Sequence, residues 1–419
     1  MMKTDVVIVG GGPGGAATAV FLAKHGIQSI IIEKEQFPRF HIGESMTGEC
    51  GNMVRAMGLE EEMLKRNHPV KYGVLVYGQG GNNTFWVPVM KRDEQGNLQD
   101  SFTWQVRRSD FDKMVLDHAI AQGATLIQGQ ATKVLRAEDG AVCGVQVRLA
   151  DGSVEEIHAE VVVDASGAAT FLSNAGVASK KERGKYDRQV AVYSHVKGAI
   201  RDEQDNTLIF YEKKNHWGWF IPIDAETVSI GVVAPSDYYR AYEGDMRSYF
   251  LQQMHKINPE LSKRVPDVEL VEEVRATSNY SYHVKQFTGK GFLCVGDSHR
   301  FIDPIFSFGL HFALTEARLA AQAIAGYMNG ENRDAENPFA DYQAYSELGM
   351  DVIEDLVDCF WENPLSFAFF VHTRYVDDFI DLFAGRVYQD PPSPGLQAIR
   401  KVNAKARAKK TAVSAQAYA

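Results

Sequence analysis

Asp5-Val6-Val7-Ile8-Val9-Gly10-Gly11-Gly12-Pro13-Gly14-Gly15 is the stretch that decides the fold. Its first five residues read as a parallel strand buried on both faces, since an unbroken β-branched run suits that setting. Gly10, Gly12 and Gly15 then take the spacing GxGxxG. Each glycine has its own job: Gly10 makes the tight turn, Gly12 lets backbone approach a pyrophosphate, and Gly15 lets helix pack on strand. Ala16 to His25 reads as that helix, and Ile30-Ile31-Ile32 as a second strand ending at Glu33. A diphosphate would sit at the helix N-terminus beside Pro13 and Gly14, while Glu33 accepts a hydrogen bond from a ribose hydroxyl. Strand, turn, helix and acid in this order predict a protein that binds a dinucleotide through an adenosine diphosphate.

Composition fits a large enzyme. A chain of 419 residues with 45% hydrophobic content can bury a sizeable core in two or three domains. A net charge of -10 argues against nucleic acid or an anionic membrane as the main partner. Cys50, Cys143, Cys294 and Cys359 are scattered without metal-like spacing, so a reduced, cytoplasmic protein with no structural disulfide and no metal is expected. The nucleotide-binding strand begins at once, which leaves no room for a signal peptide, and Phe367-Ala368-Phe369-Phe370-Val371 is too short to span a bilayer.

Two later segments indicate which dinucleotide. Val161-Val162-Val163-Asp164-Ala165-Ser166-Gly167 is another apolar strand ending in a small-residue turn. Gly291-Phe292-Leu293-Cys294-Val295-Gly296-Asp297 is a third, ending in Gly-Asp. Three such strand-to-turn sites resemble the flavoprotein monooxygenase superfamily of FAD enzymes. The resemblance implies a Rossmann-like α/β domain, with Gly296 and Asp297 at the flavin ribityl chain and an arginine of Gln105-Val106-Arg107-Arg108 on FAD. Arg107 is the favoured arginine and Arg108 the alternative.

Shorter segments narrow the class. His216-Trp217-Gly218-Trp219-Phe220-Ile221-Pro222 carries WxWxIP, and Phe301-Ile302-Asp303-Pro304-Ile305-Phe306-Ser307-Phe308-Gly309 carries FxxPxxSxG. Phe37-Pro38-Arg39-Phe40-His41-Ile42-Gly43-Glu44-Ser45 completes the set. Together these resemble the flavin-dependent halogenases over roughly the first 330 residues. The resemblance implies that reduced FAD, supplied by a separate flavin reductase, works with O2 to oxidise chloride or bromide. Arg39 and Ser45 join the cofactor-binding residues. Pro304, Ser307, Phe308 and Gly309 form a halide and flavin loop whose backbone N-H groups at a helix start attract an anion. Trp217 and Trp219 alternate on one face of a strand; the resemblance implies that they wall the flavin from the substrate, a role hard to separate from packing. Lys71, on the short strand before Gly73, matches the lysine that guides or captures the oxidised halogen; a buried ammonium with lowered pKa becomes a nucleophile.

Departures from the pattern inform the substrate. Tryptophan-specific halogenases carry a glutamate where this chain has Phe306, so a phenol or a pyrrole, free or tethered to a carrier protein, is the expected aromatic. Arg300 and Phe308 replace smaller residues near the flavin. The rival readings are a flavin hydroxylase, a geranylgeranyl-reductase-type oxidoreductase, and a non-catalytic FAD-binding scaffold. No second GxGxxG unit is visible for a nicotinamide.

The expected organisation is a discontinuous FAD-binding domain over 1-65, 102-175 and 275-330. A sheet-rich substrate domain occupies 66-101 and 176-274, a helical region follows over 331-399, and 400-419 reads as a polar helix or disordered tail. Within 66-101, residues 78-100 read as a loop or hairpin tip. In the helical region Phe360, Trp361, Phe367, Phe369, Phe370, Tyr375 and Phe379 are candidates to close a substrate tunnel, with core packing the equal alternative.

Overall fold

The computed structural model describes residues 2-417, with side chains to residue 409. Its first sheet is built on Met2–Val9, which pairs in parallel with Ser29–Glu33 on one side and Val154–Asp164 on the other. Thr125–Arg136 continues the sheet beyond Ser29–Glu33, and Phe292–Cys294 extends it beyond Val154–Asp164, both in parallel. Val142–Leu149 pairs antiparallel with the distal halves of Thr125–Arg136 and Val154–Asp164, joining the two long strands away from the parallel centre. Val6, Val7 and Ile8 are fully buried, as a strand covered on both faces requires. Each such side chain contributes about 1.5–3 kcal/mol by leaving water.

The helix after the glycine turn runs Pro13–Lys24, three residues earlier than the apolar pattern alone suggests. Pro13 explains the early start, because its missing N-H and fixed φ suit the first helical position. Gly14, Ala16 and Ala17 let this helix approach a second one, Gly309–Met328, so closely that a Cβ on Gly14 would touch Ala313.

The second sheet has eight strands. Gln189–Lys197, Val228–Pro235, His216–Pro222 and Thr207–Lys213 run antiparallel in that order. Gly73–Tyr77 then joins Thr207–Lys213 in parallel and is followed by Phe85–Pro88. Period-two alternation divides the faces. Leu208, Phe210, Phe220 and Ile230 pack beneath Met246–Lys256. Ile209, Trp217, Trp219 and Ile221 face the other way, toward the C-terminal helices. Residues 78-100 hold the strands Phe85–Pro88, Met90–Arg92 and Leu98–Asp100, with a hairpin tip at Asp93. Ala340–Glu362 and Pro394–Ala417 are the longest of the helices that follow; the latter carries Lys401 and Lys405, so the polar segment is helical through Ala417. Residues 418-419 lie outside the described residues. Among the described residues no helix is long and apolar enough to cross a membrane.

Candidate active site

A cavity of about 1080 Å3 lies between the two sheets, and the glycine turn forms one end of it. Gly10 has φ +109°, and a Cβ there would stand 2.4 Å from the Ala165 carbonyl oxygen. A Cβ on Gly15 would stand 1.9 Å from the Gly10 carbonyl, so Gly15 is the point where helix meets strand. Gly12 differs: a Cβ would meet only the Arg39 guanidinium, at 3.4 Å. That glycine faces open cavity, as backbone approached by a diphosphate should. Glu33 lines the same end, its two carboxylate oxygens accepting from Gly11 N and Glu35 N, each at 2.7 Å.

Of the two candidate arginines, Arg108 lines the cavity and the favoured Arg107 does not. Arg107 donates to Asp224 Oδ2 at 2.6 Å and does not line the large cavity. Arg108 lines it, buried, with Nε and Nη2 on the two oxygens of Asp112 at 2.6 and 2.9 Å and Nη1 on the Ile42 carbonyl at 2.7 Å. The reason is helical phase: Arg108 and Asp112 are one turn apart on the inward face of Arg108–Ala121, whereas Arg107 precedes the first turn. Arg39 reaches the same Asp112 at 3.2 Å, so two cationic groups flank the cavity around one buried carboxylate.

Gly296 and Asp297 come to the cavity at the end of Phe292–Cys294. Burial lifts the Asp297 carboxyl to about 6, against the opposing pull of Arg108. The turn is fixed from behind by Glu316, whose Oε2 accepts from Gly296 N at 2.6 Å and from His299 Nε2 at 2.9 Å, while Oε1 accepts from Ser346 Oγ. Sequence reading missed Glu316. A lone carboxylate on the buried, mostly apolar face of a helix was the available signal.

The far end of the cavity is apolar. Trp217 and Trp219 both line it, with ring centroids 5.8 Å apart. Trp219 lies across Gly231 of the neighbouring strand, where a Cβ would stand 2.1 Å from the indole, and its Nε1 donates to Ser229 Oγ at 3.1 Å. Met350 and Ile353 of Ala340–Glu362 close this end. Among the described residues, none of Phe360, Trp361, Phe367, Phe369, Phe370, Tyr375 and Phe379 lines the cavity; all but the exposed Phe369 belong to or pack against one core, so for them the tunnel reading gives way to packing. Phe306 is likewise held in this core, against Phe360 and Phe383.

Pro304, Ser307, Phe308 and Gly309 all line the cavity. Pro304–Phe306 forms one turn that ends on Ser307 in the left-handed region, φ +61°, and Gly309–Met328 starts two residues later. The first amides of that helix have no intrahelical acceptor and suit an anion.

Lys71 stands just behind the wall rather than on it. Its Nζ donates to Ser45 Oγ at 2.9 Å and to the Met46 carbonyl at 2.8 Å. Ser45 lines the cavity and is 2.7 Å from Thr207 Oγ1. Complete burial lowers the Lys71 pKa to about 7, so much of the population is the neutral amine near neutrality.

A glycine turn that a Cβ would block, an acid at the ribose position, and a second carboxylate, Asp297, lining the same cavity fit FAD. A sequence model described as an FAD binding domain matches residues 3-358. The chain is 39% identical over 368 residues, 87% of each protein, to a 1H-pyrrole-2-carbonyl-(peptidyl-carrier protein) brominase of Pseudoalteromonas luteoviolacea. It is 31% identical over 422 residues to the corresponding chlorinase of Pseudomonas fluorescens, across 95% of this chain and 92% of that one. The structure of the flavin-dependent brominase Bmp2 superposes with a TM-score of 0.90 at 37% identity, covering 97% of this chain and all of that one. The chain belongs to the FAD-binding-domain family and, within it, to the flavin-dependent halogenases. Its cofactor is FAD, and a halide is its co-substrate.

Proposed function

We propose that this protein halogenates a pyrrole ring carried as an acyl group on a carrier protein, drawing reduced FAD from a separate flavin reductase. The carrying observation is the 39% identity, over nearly the full length, to a brominase whose substrate is a carrier-bound pyrrole-2-carbonyl group. The apolar chamber between Trp217, Trp219, Met350 and Ile353 suits a flat, electron-rich ring, and a core phenylalanine stands at position 306 where a carboxylate would mark tryptophan as substrate. The lack of a second nucleotide turn for a nicotinamide supports the separate reductase.

Gly12, Glu33, Arg39, Arg108 and Asp297 would hold FAD, which when reduced supplies with O2 the two-electron oxidation of the halide. The amides following Ser307 hold the halide at the cavity wall. Trp217 and Trp219 keep the ring apart from the oxidising end, so only a small species such as hypohalous acid crosses between them. Lys71, whose Nζ stands one hydrogen bond behind the cavity-lining Ser45, receives that species as it passes Ser45, by a hydrogen bond or by forming an N–halogen bond with loss of water, and then releases the electrophile to the ring. Ser45 and the Met46 carbonyl hold two of its hydrogens, which fixes where the nitrogen sits.

The test is a reconstitution with FAD, a flavin reductase, NADH and either bromide or chloride, read by intact-protein mass spectrometry. A carrier protein loaded with a pyrrole-2-carbonyl group should gain halogen. Halogenation confined to free phenols, or hydroxylated product alone, would overturn the proposal.

A further inference from the structure

Two polar groups, Asp303 and Tyr280, face the cavity beside its apolar lining. Asp303 lines it, at the start of the turn that leads to the halide loop. One carboxylate oxygen caps the turn by accepting from Ile305 N at 3.0 Å, and the other accepts from Gln189 Nε2 at 3.3 Å. No cation pairs with it among the described residues; the neighbouring Arg300 is taken by Asp351 and Glu354. Burial accordingly pushes its carboxyl up to about 7. Tyr280 also lines the cavity; burial first, and the Asp303 charge second, push its phenol pKa well above the ordinary value. Its hydroxyl is buried with no hydrogen-bond partner among the described residues. A buried carboxylate without a cation and a buried hydroxyl without a partner are both costly, and both are relieved by a ligand of the opposite hydrogen-bonding sense.

Resting on the function proposed above, we infer that Asp303 and Tyr280 are the residues that recognise a 2-acylpyrrole: the carboxylate accepts the ring N-H and the phenol donates to the adjacent carbonyl. A 2-acylpyrrole presents a donor and an acceptor on one edge, and the chamber offers an acceptor and a donor at one end. A phenol offers only one polar group there, and an N-alkylated ring has nothing for the carboxylate. Rejecting a ligand that lacks a hydrogen a site is built to receive is a strong form of discrimination, because the site's own polar group is then left unpaired. The pair also sets which ring positions face Trp217 and Trp219, since anchoring one edge turns the opposite carbons toward the source of halogen.

The test is binding without turnover. Methyl pyrrole-2-carboxylate, its N-methyl analogue and a phenol are titrated into FAD-loaded protein while intrinsic tryptophan fluorescence is followed, to which the cavity-lining Trp217 and Trp219 contribute. The parent should bind the N-H ester about tenfold or more tightly than the N-methyl ester. Asp303→Asn keeps a cap for Ile305 but replaces an acceptor with a donor, so the two esters should then bind within about threefold of each other. Tyr280→Phe should weaken both esters alike, because the carbonyl is common to them. FAD absorbance and the melting midpoint of each variant report whether it is folded. Equal binding of the two esters by the parent, or unchanged discrimination in Asp303→Asn, would overturn the inference while leaving pyrrole as the substrate. Binding of the phenol and of neither ester would instead overturn the proposed function.

Discussion

The two ends of the cavity are built by opposite rules. The nucleotide end is framed by consecutive residues, a strand, a glycine turn and a helix within Met2–Lys24 with Glu33 one strand later, to which Arg108 and Asp297 are added from elsewhere. The substrate end comes from side chains far apart in sequence, with Trp217 and Trp219 on a sheet, Tyr280 and Asp303 on connecting segments, and Met350 and Ile353 on a helix. Backbone shape makes the first site, so glycines are its essential residues. Side-chain volume and register make the second, so large residues are. Substitutions should therefore fail abruptly at one end and by degrees at the other.

The largest expected effect is at Gly15. Gly15→Val would drive its side chain into the Gly10 carbonyl, which a Cβ alone already reaches to 1.9 Å. Loss of both flavin absorbance and cooperative melting is expected. Gly309→Ala is the control, since nothing lies within 4 Å of the added carbon. A folded, yellow Gly15→Val protein would break the comparison.

Lys71 should separate chemistry from folding. Lys71→Met is expected to abolish halogenation while leaving FAD bound, because the nitrogen lies behind Ser45 and not on the cavity surface. In the parent, halogenation should rise as pH increases through about 7, where the amine loses its proton. The same shift has a stability side. Between about 7 and the ordinary lysine value near ~10.4, the unfolded chain holds a proton that the folded chain does not, so stability grows with pH across that window. Lys71→Met lacks this term. Its melting midpoint relative to the parent should be most favourable near pH 7 and decline as pH rises toward 10, a trend whose absence would deny the buried neutral amine.

These contrasts explain what could be read in advance. The glycine turn, Glu33, the Gly296-Asp297 turn and the tryptophan pair were legible because each lies within a short segment whose spacing fixes its geometry. Arg107 and Arg108 were not separable by sequence, since one residue's difference in helical phase decides which points inward. Glu316 and the Asp303–Tyr280 pair depend on packing between distant segments, which no local spacing reports. The C-terminal aromatics look like cavity lining by composition, yet a dense core has the same composition.

The different placement of the two arginines yields a medium-sized prediction. Arg108→Ala strips a buried carboxylate of its two-pronged partner, and Arg39 remains on Asp112 as partial compensation, so a loss of about 3 kcal/mol is expected. FAD affinity should fall with it. Arg107→Ala breaks a partly exposed pair with Asp224 and should cost no more than about 1 kcal/mol, with FAD binding intact. Denaturant melts and flavin titration of the two variants decide between the positions; a larger FAD defect in Arg107→Ala would restore the original assignment.

The smallest expected effects are at the tryptophans, where the far end should fail by degrees. Trp219→Phe removes the donor to Ser229 Oγ and leaves that buried hydroxyl without a partner, a cost of about 1–3 kcal/mol in addition to the void. Trp217 has a buried ring N-H with no partner among the described residues, so Trp217→Phe removes an unsatisfied group and should cost less. Stability should therefore rank parent, Trp217→Phe, Trp219→Phe, while both variants keep FAD. If the pair is a wall, each narrower ring also opens a path between the oxidising end and the chamber. Halogenated product per NADH consumed should then fall several-fold, with hydrogen peroxide rising to match. Each variant's product yield and peroxide release, measured together, tell the roles apart: a stability loss with unchanged coupling would make the indoles packing alone, and the wall would have to be sought elsewhere.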